Sequence, residues 1–236
     1  MADRHPAMSH AFFVTGTDTG VGKTHVTCAL LRASRRLGLT AVGMKPIAAG
    51  VEADGRNDDV VQLLAASSVQ PPLEWVNPYL YAPPIAPHIA AAEAGRPIEI
   101  PVIRQALARL RPLADVVWVE GVGGFRVPLD ARYDAADLAQ ALALPVVLVV
   151  GMRLGCLNHA LLTAEAIAAR GLILSGWIAN RIEPVMARFE ANLEALQTRL
   201  NSPLLGMIPY GASPEQAALA LRLSILPDFG GGSIQP

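Results

Sequence analysis

The chain has 236 residues, of which 52% are apolar and 17% are charged, and its net charge is −1. This composition supports a large core and excludes a disordered chain, and the absence of a basic block gives no indication of binding to nucleic acid or to a membrane surface. Only two cysteines are present, which excludes a disulfide framework. We expect a cytoplasmic protein with one domain over residues 1–236, in which 1–10 and 228–236 form flexible tails.

Short β-branched runs alternate with longer helical stretches along the chain. The strand candidates are Ala11–Thr15, Ala41–Lys45, Val116–Glu120, Val146–Val150, Leu172–Ala179 and Leu204–Ile208. The helix candidates are Lys23–Leu37, Asp59–Ala66, Val102–Leu110, Asp134–Ala141, Asn158–Arg170 and Val185–Leu200. Several strands are apolar throughout, as is typical of a parallel sheet buried on both faces. The alternation predicts an α/β fold with a doubly wound, mostly parallel sheet flanked by helices, in which ligands bind at the carboxyl ends of the strands.

The loop Gly16–Thr24, with the sequence GTDTGVGKT, joins the first predicted strand to the first predicted helix. Its glycines allow successive N–H groups to point at an anion, and the helix start adds unpaired donors and the positive end of a dipole. Lys23 would reach the β- and γ-phosphates of a nucleotide, and Thr24 would bind Mg²⁺. The usual loop has its first glycine where this chain has Thr17, so the loop is one residue longer. We predict a P-loop here rather than a plain glycine turn.

Charged residues end the next two predicted strands. Lys45 is either a surface side chain that extends to solvent or a charge directed into the site, and the residues alone favour the surface. Glu120 stands where P-loop proteins place a second carboxylate for Mg²⁺, and we favour that role. Asp58 and Asp59 open a predicted helix, where an N-cap is favoured over an Mg²⁺ ligand.

Further segments are candidates for binding, and most of them have a second, structural interpretation. Asn180 and the pair Pro209-Tyr210 follow the last two strands and either hold an adenine base or form plain turns. The helix start Gly155–Asn158, with Arg153 beside it, is suited to bind a carboxylate. Residues 70–87 contain six prolines and form either a lid or wall of the site or an ordered connection packed by its aromatic residues.

Five motifs in this order resemble those of the dethiobiotin synthetase family. They are Gly16–Thr24, Lys45-Pro46, Val119–Gly124, Leu154–His159 and Gly176–Asn180. The resemblance runs from about residue 12 to residue 208, and the longer P-loop is itself typical of that family. It implies a P-loop NTPase-like, homodimeric, cytoplasmic enzyme of biotin biosynthesis. Such an enzyme joins CO₂ to 7,8-diaminononanoate with ATP and Mg²⁺ and closes a cyclic urea.

The resemblance also implies roles for individual residues and favours function at Lys45 and Asp59. The catalytic residues are Thr19, Lys23 and Lys45, and the metal site is Thr24, Asp59 and Glu120. The ATP-binding residues are Gly20, Val21, Gly22, Lys23, Thr24, His25, Asp59, Glu120, Gly121, Val122, Gly123, Asn180, Arg181, Pro209, Tyr210, Gly211 and Glu215. The substrate-binding residues are Thr19, Lys45 and Ala49, together with Gly155, Cys156, Leu157 and Asn158, which act across the dimer interface.

The chain departs from the family pattern at a few positions. Ala49 stands where some members have a Ser that contacts the substrate, and Arg181 stands where an Asp can occur. The transfer is least secure at Glu215. None of these departures removes a group that the chemistry needs.

Two other classes of enzyme share parts of this pattern. A glutamine-dependent cobyrinate amidating enzyme would need a glutaminase domain with a nucleophilic cysteine, for which the chain has no room. A switch ATPase of the chromosome-partitioning or division-site type carries a second lysine near Thr17 or Asp18, and none is present. We therefore expect no nucleic acid and no membrane among the partners.

Overall fold

The fold is described from a computed structural model for residues 9–226 and 229. Residues 1–8, 227, 228 and 230–236 lie outside the described residues, and they include most of the two predicted tails. The two tail predictions also include residues that belong to the fold. His10 begins the first strand, and its N–H donates to the carbonyl of Asp115 at 2.9 Å. The Phe229 ring stacks on Trp118 with the ring centroids 6.2 Å apart.

Eight strands within residues 9–226 form two parallel sheets. The strands are β1 (His10–Gly16), β2 (Ala41–Met44), β3 (Ile47–Ala49), β4 (Tyr79–Tyr81), β5 (Val116–Glu120), β6 (Val146–Met152), β7 (Leu174–Arg181) and β8 (Leu204–Ile208). The main sheet has the order β2-β5-β1-β6-β7-β8, and β3 pairs only with β4. The predicted parallel main sheet is confirmed, whereas β3 and β4 were not predicted.

Nine helices connect these strands in the described part of the chain. They are α1 (Lys23–Arg36), α2 (Asp58–Ala66), α3 (Leu73–Val76), α4 (Pro87–Glu93), α5 (Ile100–Leu110), α6 (Ala135–Leu142), α7 (Cys156–Ala169), α8 (Phe189–Arg199) and α9 (Pro214–Leu219). Single 3₁₀ turns follow at Arg111–Leu113 and Leu223–Ile225. The six predicted helices are all present, with shifted ends. None of the described helices is both long enough and apolar enough to cross a bilayer.

The main sheet is buried on both faces, which explains its nearly continuous apolar strands. Neighbouring residues of β1 contribute to opposite faces, because side chains alternate along a strand. Phe13 packs with Val117 and Val119 on one face, and Phe12 packs with Trp118 on the other. Because both faces are buried, polar positions lie mainly near the strand ends. The carboxyl ends of the parallel strands meet at a common crevice.

The proline-containing segment 70–87 is an ordered connection. It contains α3, β4 and the first residue of α4. The β3–β4 ladder continues past its strands, since Gly50 N–H donates to the Tyr81 carbonyl at 3.0 Å and Val51 N–H to the Ala82 carbonyl at 3.2 Å. These hydrogen bonds hold the segment against β3, and the Lys45 N–H, just after β2, donates to the Val76 carbonyl at 2.9 Å.

Candidate active site

The P-loop connects β1 to α1, as predicted. Gly20 and Gly22 adopt φ values of +76° and +84°, which L-residues with a side chain rarely adopt. Gly22 is the N-cap of α1 and provides no side-chain cap, so the first amides of the helix stay available to a ligand. The Lys23 ammonium lies along the loop and donates to the Asp18 carbonyl at 3.0 Å. The loop therefore has the backbone donors and the cation that phosphate binding requires.

A buried cluster of cations and carboxylates joins the ends of β2 and β5 to α2. Lys45 Nζ lies 2.5 Å from Oε1 of Glu120 and 2.9 Å from Oδ2 of Asp59. The Thr24 hydroxyl donates to the same Glu120 oxygen at 2.7 Å. Lys45 is only 4% exposed and Glu120 is fully buried. The placement of Lys45 on the surface, which the residues alone favoured, is thus wrong.

The capping residue of α2 differs from the one that the sequence suggested. The Asn57 side chain accepts from the Val60 N–H at 3.2 Å and caps the helix. Asp58 and Asp59 fall in the first turn instead. Because Asn57 satisfies the helix end, the Asp59 carboxylate is free to bind Lys45.

Burial and neighbouring charges shift the pKa values of this cluster. Burial, with a smaller contribution from Lys45, lowers the pKa of Lys23 to about 8. Burial acts in the same direction on Lys45, but the attraction of Glu120 and Asp59 outweighs it and raises the pKa of Lys45 above its usual value. Burial opposes ionisation of Asp59, yet Lys45 holds the pKa of that carboxyl below its usual range. At neutral pH both lysines are cations and Asp59 is an anion.

The donor set around Glu120 fits Mg²⁺. Mg²⁺ prefers oxygen ligands and is commonly held by one or two carboxylates together with water and substrate phosphates. Glu120 Oε2 is buried and has no hydrogen-bond partner, and Asp59 and the Thr24 hydroxyl lie beside the same Lys45–Glu120 pair. Residues 9–226 and 229 contain no group of three or more His, Cys, Asp or Glu side chains suited to a metal. Thr24, Asp59 and Glu120 are therefore suited to a metal ion that takes its other ligands from phosphate.

One cavity of about 780 Å³ is lined by half of the predicted site residues. The predicted residues in its lining are Thr19, Gly20, Gly22, Lys23, Thr24, His25, Lys45, Ala49, Asp59, Glu120, Val122 and Gly123. The lining also includes Gln62, Val127 and residues 84–87, which were not predicted individually. The prolines of segment 70–87 were the sequence signal for residues 84–87. Segment 70–87 is thus an ordered connection and also a wall of the cavity.

Several predicted ATP-binding residues lie beyond the lining of this cavity. Val21 and Gly121 are buried, and Asn180 Nδ2 donates to the Val21 carbonyl at 2.9 Å. The Arg181 guanidinium lies over the Phe189 ring, 4.6 Å from its centroid.

The remaining predicted contacts to adenine follow β8. Pro209, Tyr210 and Gly211 are exposed, and Glu215 accepts a hydrogen bond from Arg32 Nε at 2.6 Å. Their assignment to ATP stays a prediction.

The helix start that was predicted to bind a carboxylate lies on the other side of the P-loop. Gly155 is the N-cap of α7 with φ +92° and gives no side-chain cap to the amides of Leu157 and Asn158, whereas the Cys156 N–H donates to the Arg153 carbonyl at 3.0 Å. Arg153, however, pairs with Asp18 at 2.8 Å. Arg153 therefore fixes the P-loop to this helix start and is already paired. The ion pair could not be predicted, because the two residues are far apart in sequence.

Comparison with known proteins places this site in a family. The chain is 62% identical over 218 residues to an ATP-dependent dethiobiotin synthetase of Aromatoleum aromaticum, across 90% of this chain and 97% of that protein. The chain belongs to the dethiobiotin synthetase family. A second member, from Nitrosospira multiformis, is 56% identical across 92% of this chain and 96% of its own length. The resemblance drawn from the five motifs is confirmed.

More distant comparisons show the fold. A family model described as an AAA domain matches residues 10–217. MinD in a MinC:MinD cell division complex from Aquifex aeolicus superposes with a TM-score of 0.58 at 17% identity, across 97% of this chain and 98% of that one. At that identity the likeness concerns the fold alone. It agrees with the predicted P-loop NTPase-like architecture of this dethiobiotin synthetase family member.

Proposed function

We propose that the protein is an ATP-dependent dethiobiotin synthetase of the cytoplasm. It joins CO₂ to 7,8-diaminononanoate and closes a cyclic urea, and it converts ATP to ADP and phosphate. The observation that carries this proposal is the convergence of Lys23 and Lys45 in one cavity with a P-loop, in a chain 62% identical to a dethiobiotin synthetase.

The first half of the reaction makes an activated carboxyl group. One amine of the substrate attacks the carbon of CO₂ and releases a proton, which leaves a carbamate anion. A carbamate oxygen then attacks the γ-phosphorus of ATP, the bond from that phosphorus to the β–γ bridging oxygen breaks, and ADP departs. Negative charge gathers between two anions, so cations fixed in this place lower the barrier. Lys23 and Lys45 are the buried cations that line the cavity.

The second half of the reaction closes the ring. The neighbouring amine attacks the carbonyl carbon of the mixed carbamic–phosphoric anhydride, the bond from carbon to the phosphoryl oxygen breaks, and phosphate leaves with loss of a proton. Both amines belong to one molecule, so this step gains from proximity once the substrate is held. Thr19 lies on the loop beside Lys23 and lines the cavity, where it would orient the substrate.

Thr24, Asp59 and Glu120 would hold Mg²⁺ in this enzyme. When bound there, the ion would neutralise charge on the phosphate oxygens and orient the departing ADP. Lys45 pairs with the same two carboxylates, which fix its ammonium group in the cavity where it would face the carbamate.

We further propose a homodimer in which Gly155–Asn158 of one subunit binds the substrate carboxylate of the other. The exposed helix start and the exposed side chain of Asn158 support this assignment. Asn158→Asp places a negative charge there, and Lys23→Ala removes the phosphate-binding cation, so each variant alone should be inactive. Random mixing of the two should restore about a quarter of wild-type activity, because half of the dimers are mixed and each has one complete site. Mixtures that stay inactive would place the whole site within one subunit.

The proposed reaction is tested by phosphate release from ATP with Mg²⁺. The expected result is release only when 7,8-diaminononanoate and bicarbonate are both present, together with a cyclic urea product seen by mass spectrometry. The alternative considered from the sequence is an ATPase that switches a partner. Such a protein would release phosphate without the diamine, and it would respond instead to a protein, lipid or DNA partner.

A further inference from the structure

The active-site cavity has two chemically different sides. One side holds the P-loop, the two lysines and the carboxylates described above. The other side includes Ala49, Pro84 and Ile85, which carry no polar side-chain group. We name these three residues the apolar strip. Such a surface contributes little to the binding of phosphate or CO₂, so the apolar strip is suited to bind a hydrocarbon part of a ligand.

Backbone hydrogen bonds hold the apolar strip in place at both ends. The β3–β4 ladder extends through Gly50 and Val51, as described above, and fixes Ala49 next to Tyr81. The Ile85 N–H donates to the Pro83 carbonyl at 2.9 Å, and Ala86 opens α4. A fixed backbone of this kind is suited to discriminate between ligands by shape.

Close packing supports the same conclusion at the centre of the apolar strip. Gly50 adopts φ +95°, and a Cβ atom built on it would lie 3.2 Å from Cβ of Pro84. The absence of a side chain at Gly50 therefore lets residue 84 approach β3 closely. Ile85 then projects with 38% of its surface exposed, although it lines a cavity. An isoleucine exposed inside a binding cavity is suited to be covered by an apolar group of the ligand.

The proposed substrate has one apolar group in the right place. The amines of 7,8-diaminononanoate are carried by C7 and C8, and the chain from C6 to C1 runs toward the carboxylate. Only the C9 methyl group lies beyond the amines. When the amines sit beside Lys23 and Lys45, the methyl group is confined to the vicinity of the reacting centre, where the apolar strip lines the same cavity.

We propose that the apolar strip binds the terminal methyl group of the diamine and thereby determines which vicinal diamines the enzyme accepts. This inference rests on the proposed function. Ala49 contributes by having no hydroxyl where some members of the family carry Ser. Ile85 contributes most of the contact surface, because it is the largest of the three side chains.

The test compares two diamines that differ only in the methyl group, 7,8-diaminononanoate and 7,8-diaminooctanoate. One methylene in an apolar pocket is worth about tenfold or more in kcat/KM. We expect the wild-type protein to prefer the nonanoate by about tenfold. Ile85→Ala should reduce that preference to within about threefold, mainly through KM for the nonanoate. KM for ATP should stay unchanged, because the proposed contact of Ile85 is with the diamine.

Two further variants make the result specific. Ile89→Ala is a matched control, because Ile89 is 43% exposed, lies four residues further along and is not part of the cavity lining. It should keep the wild-type preference. Ala49→Ser adds a hydroxyl to the strip and should lower the preference for the methyl-bearing diamine without truncating any side chain.

The outcomes separate the two proposals. An Ile85→Ala protein that keeps the full wild-type preference, or a wild-type protein without any preference, overturns the role of the strip. If Ile85→Ala loses its native circular dichroism spectrum, Ile85→Val and Ala49→Ser decide the question in its place. Failure of the proposed function has a different signature, since the wild-type protein would then form no cyclic urea from either diamine.

Discussion

The two sides of the cavity are built in different ways. The polar side lies at the ends of β1, β2 and β5, three neighbouring buried strands of the main sheet, of which β2 is at the edge. The apolar side depends on β3 and β4, two strands of three residues each that form a separate small sheet. The polar side is fixed by buried ion pairs, and the apolar side by backbone hydrogen bonds and a close approach at Gly50. The residues that would carry the reaction and those that would fit the shape of the substrate thus lie in separate parts of the fold. Either set can be substituted without changing the other.

The strongest test removes the central cation of the polar side. Lys45→Met should lower kcat about a thousandfold, because a preorganised charge at the reacting centre is lost. It should also lower the free energy of unfolding in Mg²⁺-free buffer by about 3 kcal/mol, because Glu120 is left buried without its partner. Steady-state phosphate release and urea denaturation measure the two effects.

A matched control uses an exposed ion pair. Arg56 pairs with Asp54 at 2.6 Å, but its side chain is 71% exposed. Arg56→Met should change neither turnover nor unfolding measurably, because solvent screens such pairs. A Lys45→Met protein with near-normal turnover would remove Lys45 from the mechanism.

The next test concerns the carboxylates of the polar side. Asp59→Asn and Glu120→Gln should each raise the Mg²⁺ concentration for half-maximal activity at least about tenfold, because each removes one anionic ligand. Asp58→Asn is the matched control, since Asp58 is the neighbouring residue in the same helix turn and is exposed. An unchanged Mg²⁺ titration in both site variants would contradict the assignment of these ligands.

A substitution at Gly50 perturbs the apolar side alone. Gly50→Ala should cost about 1 kcal/mol or more in unfolding free energy, because φ is +95° there. It should also raise KM for the diamine and leave KM for ATP unchanged, because the new Cβ pushes against Pro84.

Gly55 allows the backbone effect at Gly50 to be separated from the contact with Pro84. Gly55 has φ +77°, and a Cβ built on it meets no atom within 4 Å. Gly55→Ala should therefore lose stability to a similar extent but keep the diamine KM. Equal KM values for the diamine in Gly50→Ala and Gly55→Ala would show that the apolar side does not depend on the close approach of Pro84 to Gly50.

The smallest effect is expected at a residue that only packs behind the polar side. Burial raises the pKa of the Cys28 thiol to about 12, and Cys28 is 2% exposed. Since the thiolate is the reactive form, Cys28 should not react with a thiol reagent at pH 8 in the native protein. Cys156 is equally buried, and burial raises its pKa as well. Both thiols should become reactive in guanidinium chloride, and a native thiol that reacts quickly would show that the helix carrying it opens.

The polar side could largely be predicted from the sequence, because its signals are local. A β-branched run followed by GTDTGVGKT or by Glu120 identifies both the strand and its functional end. The burial of Lys45 was not predictable from its own neighbours. It depends on Glu120, 75 residues away in the chain, and on the choice of Asn57 as N-cap of α2. That choice was ambiguous because three residues in a row are good capping residues.

The apolar side could not be predicted in detail, because its signals are not local. Strands as short as β3 and β4 show no periodicity, and they exist only through their mutual parallel pairing. The prolines of segment 70–87 indicated a wall, but which of its residues would line the cavity depended on the close approach of Pro84 to Gly50. The family resemblance identified one residue of the apolar side in advance, because Ala49 departs from the family pattern there.

The ion pairs of the polar side also determine how ATP first meets the protein. The formal charges of Lys23, Lys45, Asp59 and Glu120 add up to zero, and Arg153 and Asp18 cancel each other in the same way. A tetra-anionic nucleotide therefore experiences little net attraction at long range, and the net charge of the whole chain is only −1. We therefore expect the rate of encounter to depend little on ionic strength, so that ATP would be held only after contact, by hydrogen bonds from the P-loop amides.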